Sequence, residues 1–348
     1  MPIKIGESVI GKGHPCFVIA EAGVNHNGQM DLALKLIDAA KEAGADAVKF
    51  QTFKTEKVVS AIAPKAEYQV ANTESAGSQM DMIRKLELTF NQFRELHAYC
   101  SKRKILFLST PFDNESADFL NELGMAGFKI PSGEITNFPL VAHIARMQKP
   151  LIMSTGMSNM GEVGDALKEI YECGNKDVVL LHCVSNYPAE PSAINLKAMD
   201  SMHEKFRVDV GYSDHTRGIE IPLAAVALGA CVIEKHFTVD RNLPGPDHKA
   251  SLEPHELKEM VRCIRNVEAS LGNGQKVPTA DEMKTADAAR RSLVAARRIE
   301  AGTVITDEMI VILRPGTGLQ PAMKPKVIGK RLLKNLDEGE LFTLEGLG

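Results

Sequence analysis

The sequence predicts an α/β protein whose main body is a closed (β/α)8 barrel, followed by a small β-rich domain. Short apolar runs alternate with amphipathic segments eight times without a break. The alternation fills roughly residues 16–271, near the ~250 residues typical of such a barrel, and the composition changes after Gly274. An open, doubly wound sheet is the alternative. It needs fewer parallel strands and usually a Gly-rich first turn, and the first turn here, EAGVNHNG, is not GxGxxG.

In chain order, CFVIAEA leads into MDLALKLIDAAKEAG, and ADAVKFQ forms the second run. ILFLST precedes ESADFLNELG, GFKIPSG precedes FPLVAHIARM, and PLIMSTG precedes EVGDALKEIYECG. DVVLLHCV precedes AINLKAMDSMHEKF, VDVGYSD precedes IEIPLAAVALG, and CVIEKHF precedes HELKEMVRCIRNVEASLG. The runs are short and apolar, as buried strands are. The segments between them carry apolar residues at helical spacing, and several end at Gly, as helix C-termini do. About 50 residues separate VKFQTF from ILFLST, and loops of that length in compact domains are usually functional. The stretch around APKAEYQVANTESAG is therefore expected to form a lid over the barrel mouth, with a helix near Phe90–Cys100 closing the unit. The barrel is assigned to residues 1–272 and a polar linker with some helical character to 273–289. Residues 290–348 hold short β-like runs between Gly and Pro turns. A domain of about 58 residues is marginal alone, so it is expected to lean on the barrel or on another subunit.

Composition narrows the function. Of the 348 residues, 44% are hydrophobic, and 41 basic and 45 acidic residues are spread along the chain for a net charge of −4. No basic block marks a nucleic-acid partner. MPIKIGESVIGKGHP lacks the apolar core of a signal peptide, and no later run reaches membrane-spanning length, so a cytoplasmic protein with no membrane partner is expected. The six cysteines contain no CxxC pair, and buried free thiols are the expectation.

In barrel enzymes the reacting groups sit at the carboxyl ends of the strands. Read at those ends, all eight runs offer polar groups: Glu21; Lys49 and Gln51; Ser109 and Thr110; Lys129, Ser132 and Glu134; Ser154 and Thr155; Ser185, Asn186 and Tyr187; Asp214 and His215; and His236. Lys49 and Lys129 lie in apolar runs, where an uncompensated ammonium costs several kcal/mol. Each should face an anion. A buried ion pair with Glu21 or Glu134 would satisfy that, as would a ligand whose phosphate and carboxylate are held by the lysines, Ser132, Ser154 and backbone N–H groups; a Schiff-base lysine is a further alternative. His215 and His236 end successive strands and should stand side by side, where two imidazoles suit a divalent metal or hydrogen bonding. Glu134 follows PSG on a rigid turn and could serve as a general acid or base. Asp247, in PGPDHKASLEP, could grip ligand hydroxyls or merely form a turn.

The strings IAEAGVNHNG, AVKFQTF, STPFD, FKIPSGE, STGM, GYSDHTRG, VIEKHFTVD and GPDHKASLEP, in this order, resemble the sialic-acid synthases. RPGTG resembles the sugar-binding loop of their C-terminal antifreeze-like (SAF) domain. The resemblance covers nearly the whole chain. It implies a homodimer in which that domain reaches over the partner's barrel, and a divalent metal, usually manganese, with magnesium or cobalt as alternatives. It also implies condensation of phosphoenolpyruvate with an open-chain N-acetylmannosamine-type sugar, with water addition and phosphate release. His215 and His236 would then bind the metal, and Lys49, Thr110, Lys129, Ser132 and Ser154 would hold phosphoenolpyruvate. Gln51, Tyr187, Asp247 and Arg314 would meet the sugar, and Glu134, Glu21 and Lys129 would carry the catalysis. Where some relatives have Asn or Glu two residues before the Tyr, this chain has Ser185.

The leading expectation is thus an N-acetylneuraminate synthase. PSGEITN and YSDHTRGIE look instead like legionaminic-acid synthases, whose sugar differs at C4 and C6, while AIAPKAEYQ looks like N-acetylneuraminate synthases. A carbohydrate-binding or polysaccharide-assembly protein is the non-enzymatic alternative, and loss of the histidines or lysines would have favoured it.

Overall fold

In the computed structural model, which describes residues 2–65, 69–70 and 78–348, the eight apolar runs become eight parallel strands. They are β3 (Phe17–Gly23), β4 (Ala47–Thr52), β5 (Leu106–Pro111), β6 (Phe128–Ile130), β7 (Leu151–Ser154), β8 (Val178–Cys183), β9 (Asp209–Asp214) and β10 (Val232–His236). Hydrogen-bonded neighbours run β5-β4-β3-β10-β9-β8-β7-β6, and β5 packs beside β6 to bring the ring round on itself. Both faces of these strands are buried, one against the barrel interior and one against helices, which is why they read as continuous apolar runs. Along β4, Lys49 and Gln51 point inward, while Phe50 points outward and stacks on Phe107 with ring centroids 6.0 Å apart.

The helices follow from spacing and caps. Met30–Ala43 buries Ala33, Leu36, Ile37, Ala40 and Ala43 along one stripe and stops at Gly44, whose φ of 81° a β-carbon would disfavour. Met160–Glu172 starts at a capping box of Asn159 and Glu162 and buries Val163, Ala166, Leu167 and Ile170. The expected helix near Phe90–Cys100 runs Phe90–Arg103. Of the segment expected to form a lid, residues 66–68 and 71–77 lie outside the described residues. No helix among those described is long and apolar enough to cross a membrane.

An antiparallel hairpin, β1 (Ile3–Ile5) with β2 (Ser8–Ile10), precedes the barrel and was not anticipated. It covers the amino ends of the strands. A Cβ on Gly127, just before β6, would lie 3.2 Å from Ile5 Cδ1, and Lys12 N–H donates to Asp209 at the start of β9. Ile3, Ile5 and Ile10 are buried in the barrel's core cluster. Their alternation in IKIGESVI was the available signal.

The chain divides after Gly272. In the second unit, Thr279 caps a helix over Ala280–Ala289, and β11 (Ser292–Ala295) pairs antiparallel with β12 (Ile310–Leu313). Leu293, Ile299, Ile305, Ile310, Leu332 and Phe342 belong to a core cluster of its own.

The hairpin's packing yields a stability prediction. Ile5→Ala should destabilise the barrel by about 2–5 kcal/mol, because the rigid strand ends cannot collapse into the cavity left behind. Denaturant titration checks this; a cost below about 0.5 kcal/mol would make the hairpin an ornament.

Candidate active site

Strand alternation turns one polar residue after another into a cavity of about 530 Å³ at the carboxyl ends of the strands, a size suited to small molecules. Glu21, Lys49, Gln51, Thr110, Lys129, Ser132, Ser154, Tyr187, His215, His236 and Asp247 all line it. Eleven of the thirteen expected site residues are thereby brought together.

Four ionised groups form its floor. Lys49 Nζ lies 2.6 Å from Glu21 and 3.7 Å from Glu234, and Lys129 Nζ lies 3.6 Å from Glu234. Thr110 Oγ1 accepts from Lys49 at 3.0 Å, Gln51 Nε2 donates to Glu21 at 3.3 Å, and Ser213 Oγ donates to Glu234 at 3.2 Å. Burial raises the Glu21 carboxyl to about 7 against the pull of Lys49, and Glu234 adds to the rise. For Glu234 burial works in the same direction, but Lys129 and Lys49 outweigh it and hold the group below its ordinary value. Lys129 has the thinnest compensation. Burial lowers its pKa and Glu234 restores only part, and Lys129 Nζ also donates to Ile130 O at 3.4 Å. The ion pair expected for Lys49 with Glu21 is present, and it forms part of the cavity wall.

Beside Lys129, an anion cradle takes shape. Among the described residues Ser154 Oγ is buried without a hydrogen-bond partner, and Gly156 N–H donates to Ser132 Oγ at 3.0 Å. Any Cβ on Gly156 would collide with Ser185 Oγ and Ser132 Oγ, so only glycine lets these hydroxyls converge.

Across the cavity the His215 and His236 rings stand 5.4 Å apart, with Tyr187 4.1 Å from His215. His215 Nδ1 bonds Val184 O at 2.8 Å, which places the proton there and leaves Nε2 as a lone-pair donor. Burial holds His236 neutral, and among the described residues its buried Nδ1 has no hydrogen-bond partner. Among the described residues no three His, Cys, Asp or Glu side chains converge as a complete metal site. Two facing imidazoles, each with a ring nitrogen free to donate, are a donor set that would suit a divalent ion whose remaining shell is water and substrate oxygen. Asp247 lines the same region, its carboxyl raised to about 6 by burial.

The cavity's remaining wall is apolar: Val24, Phe53, Val58, Ile83, Leu86 and Phe112 pack on one another and face inward, with Gln69 and Gln79 alongside.

Two expected residues are placed elsewhere. Glu134 ends a short 3-10 turn, Ser132–Glu134, and accepts from Asn137 Nδ2 at 2.7 Å, outside the cavity lining. Arg314 is exposed in the second unit, its Nε donating to Ala289 O at 3.0 Å. Among the other strand-end polar groups, Ser109 bonds Thr52, Thr155 bonds Leu181 O, and Asp214 bonds Thr216; alternation turns all three away from the cavity. Asn186 is exposed. Glu234, Cys183 and Ser213 line the cavity but were passed over. The signal was parity: Glu234 lies two residues before His236 on one strand and must face the same way.

The model of the NeuB family matches residues 36–276, and that of the SAF domain matches 290–347. An N,N'-diacetyllegionaminic acid synthase of Campylobacter jejuni is 51% identical, over 93% of this chain and 98% of that protein. A protein of the same description from Legionella pneumophila is 48% identical, over 96% and 95%. Among solved structures, an N-acetylneuraminic acid synthetase of Leptospira borgpetersenii aligns with a TM-score of 0.73 and 37% identity, covering 82% of this chain and 95% of that one.

The thin compensation of Lys129 sets the test of the anion cradle. Lys129→Met should leave thermal stability unchanged or slightly raised, since a desolvated cation is removed while Glu234 keeps Lys49. It should weaken binding of inorganic phosphate by about tenfold or more, followed by calorimetry. A large fall in melting temperature with phosphate binding intact would make Lys129 a structural residue instead.

Proposed function

The chain belongs to the NeuB family, and from that premise we propose that it is an N,N'-diacetyllegionaminate synthase, joining phosphoenolpyruvate to open-chain 2,4-diacetamido-2,4,6-trideoxymannose. The coarser statement needs no proposal: the chain is a nonulosonic-acid synthase, a transferase that condenses phosphoenolpyruvate with a sugar. The sequence placed N-acetylneuraminate first and the legionaminate reaction second. Two relatives near half identity over almost the whole chain reverse that order. The apolar wall of the cavity supports the reversal. N-acetylmannosamine would set hydroxyls at C4 and C6 against such a wall, whereas the trideoxy sugar offers a C6 methyl and a second acetyl methyl.

In this reading Lys49, Lys129, Ser132 and Ser154 hold the phosphate and carboxylate of phosphoenolpyruvate, with Thr110 steadying Lys49. His215 and His236 would hold a divalent ion, manganese first and magnesium or cobalt as alternatives, which when bound polarises the sugar's aldehyde oxygen. The π electrons of the C2–C3 bond form the new bond from C3 to the aldehyde carbon, and the oxygen that was the aldehyde's takes up the proton that the water at C2 gives up, relayed by the Glu21 carboxylate, whose pKa burial raises to about 7. Water adds at C2 and loses a proton. The C2–O bond to phosphate then breaks, phosphate leaves with the electron pair, and the C2 hydroxyl becomes the ketone. Asp247 and Gln51 face the sugar. Glu134 would need to leave Asn137 to take part, and this reading gives proton transfer to the carboxyls inside the cavity.

Phosphate release from phosphoenolpyruvate with each sugar tests the assignment. The diacetamido trideoxy sugar should exceed N-acetylmannosamine in kcat/KM by about tenfold or more, and chelation should abolish turnover until manganese is restored. Preference for N-acetylmannosamine would return the protein to the neuraminate reaction. We further propose a homodimer in which Arg314 completes the partner's sugar site through its exposed loop. Mixing inactive Lys129→Met with inactive Arg314→Ala chains should then restore part of the activity. No recovery after confirmed subunit exchange would leave Arg314 a surface residue.

A further inference from the structure

Each of the two cavity histidines follows a buried charge, and the two charges are opposite. Asp214 precedes His215 at the end of β9, and Lys235 precedes His236 at the end of β10. Alternation turns both away from the cavity, toward the layer between strands and helices, and the parallel register sets them side by side. Both side chains are 0% exposed. Lys235 Nζ donates to the Asp214 carboxylate and to the carbonyl of Thr216. Asp214 Oδ1 also accepts from the Tyr212 hydroxyl at 2.8 Å, from Thr216 N–H at 3.0 Å and from Thr216 Oγ1 at 2.9 Å.

The consequence falls on the residue between. His215 is flanked by two residues that are both fastened to Lys235, and Lys235 belongs to the strand that carries His236. The His215 carbonyl is itself held by Ala189 N–H at 2.9 Å. One buried ion pair thus ties the backbone under one imidazole to the backbone under the other. Apolar side chains of similar volume would fill the same space without desolvating two charges, so stability alone is a weak reason for ions here. Orientation is the stronger one, because metal-binding rings held at a wrong tilt or separation lose affinity.

We propose that Asp214 and Lys235 are positioning residues that set the spacing and tilt of His215 and His236 for a divalent cation and take no part in holding phosphoenolpyruvate. The proposal rests on the metal reading of the two histidines. The double variant Asp214→Leu/Lys235→Met removes the pair without leaving a lone charge. Its fold is checked by circular dichroism, and two titrations follow: manganese, read from the electron paramagnetic resonance signal of the free ion, and inorganic phosphate, in chelator, by calorimetry. Manganese affinity should fall by about tenfold or more while phosphate affinity stays within about twofold of the wild type. Unchanged manganese affinity in the folded variant overturns the proposal, as does an equal loss of both ligands, which would mark the pair as general structural support. Should the double variant fail to fold, Lys235→Met leaves Asp214 among its donors on Tyr212 and Thr216 while cutting the tie between the two strands, and the same two titrations decide the matter. Failure of the wild type to bind manganese would sink the metal reading itself, whereas wild-type binding with an unaffected variant sinks only the brace.

Discussion

Four ionised side chains held out of water at one end of a barrel are the constraint around which this molecule is arranged. Glu21, Lys49, Glu234 and Lys129 come from β3, β4, β10 and β6, and the strand order sets β6 far round the ring from β10. Glu234 therefore spans the interior to stand between two lysines. An uncompensated buried ion costs several kcal/mol, so the set is tolerable because two cations meet two carboxylates. The balance is uneven, however. Lys49 sits between two carboxylates, and Lys129, the end member, shares one. On the proposed reading an arriving dianion would be drawn to Lys129, beside the buried hydroxyl of Ser154.

The same alternation that gathers these charges inside sorts a second polar set to the outside. Asp214 with Lys235, and Thr52 with Ser109, face the helices rather than the cavity. At the loops beyond β3 and β10, Asn25 bonds Phe237 O and Ser251 Oγ, and His248 bonds Thr238 and Asn27. Ser251 Oγ in turn donates to Asp247 O, so the NHN turn and the DHKAS turn brace the loop that presents Asp247 to the cavity. Inner polar groups face the cavity, and outer ones hold the backbone that carries them.

Much of this was legible because the two barrel signals are local. A strand buried on both faces is a short apolar run, and its final residues lie at the mouth whatever the rest of the chain does, so Lys49, Lys129, His215 and His236 could be placed from sequence. Direction was harder. Glu134 lies in the 3-10 turn that follows β6, where periodicity no longer fixes which way a side chain points, and it turns to Asn137. Glu234 was hidden by the opposite error, since attention to the last residue of the run left its inward-facing neighbour two positions back unread. The apolar wall could not be read at all. Val58, Ile83 and Leu86 come from the long connection after β4, while Val24 and Phe112 follow other strands, and no period links them.

That division of sources explains how one barrel can accommodate different sugars. The groups proposed to hold phosphoenolpyruvate, and the histidine pair, stand on strands or within two residues of their ends, where packing against helices and the register of hydrogen bonds fix them rigidly. The wall that would touch C4 and C6 of the sugar comes largely from a connecting segment, where a change of side chain disturbs no ladder bond. Substituents on the sugar can therefore be traded against residues such as Val58, Ile83 and Phe112 without moving Lys129 or His236. On the proposed reading the condensation is a property of the barrel, and the choice of sugar is a property of what the connection lays over it.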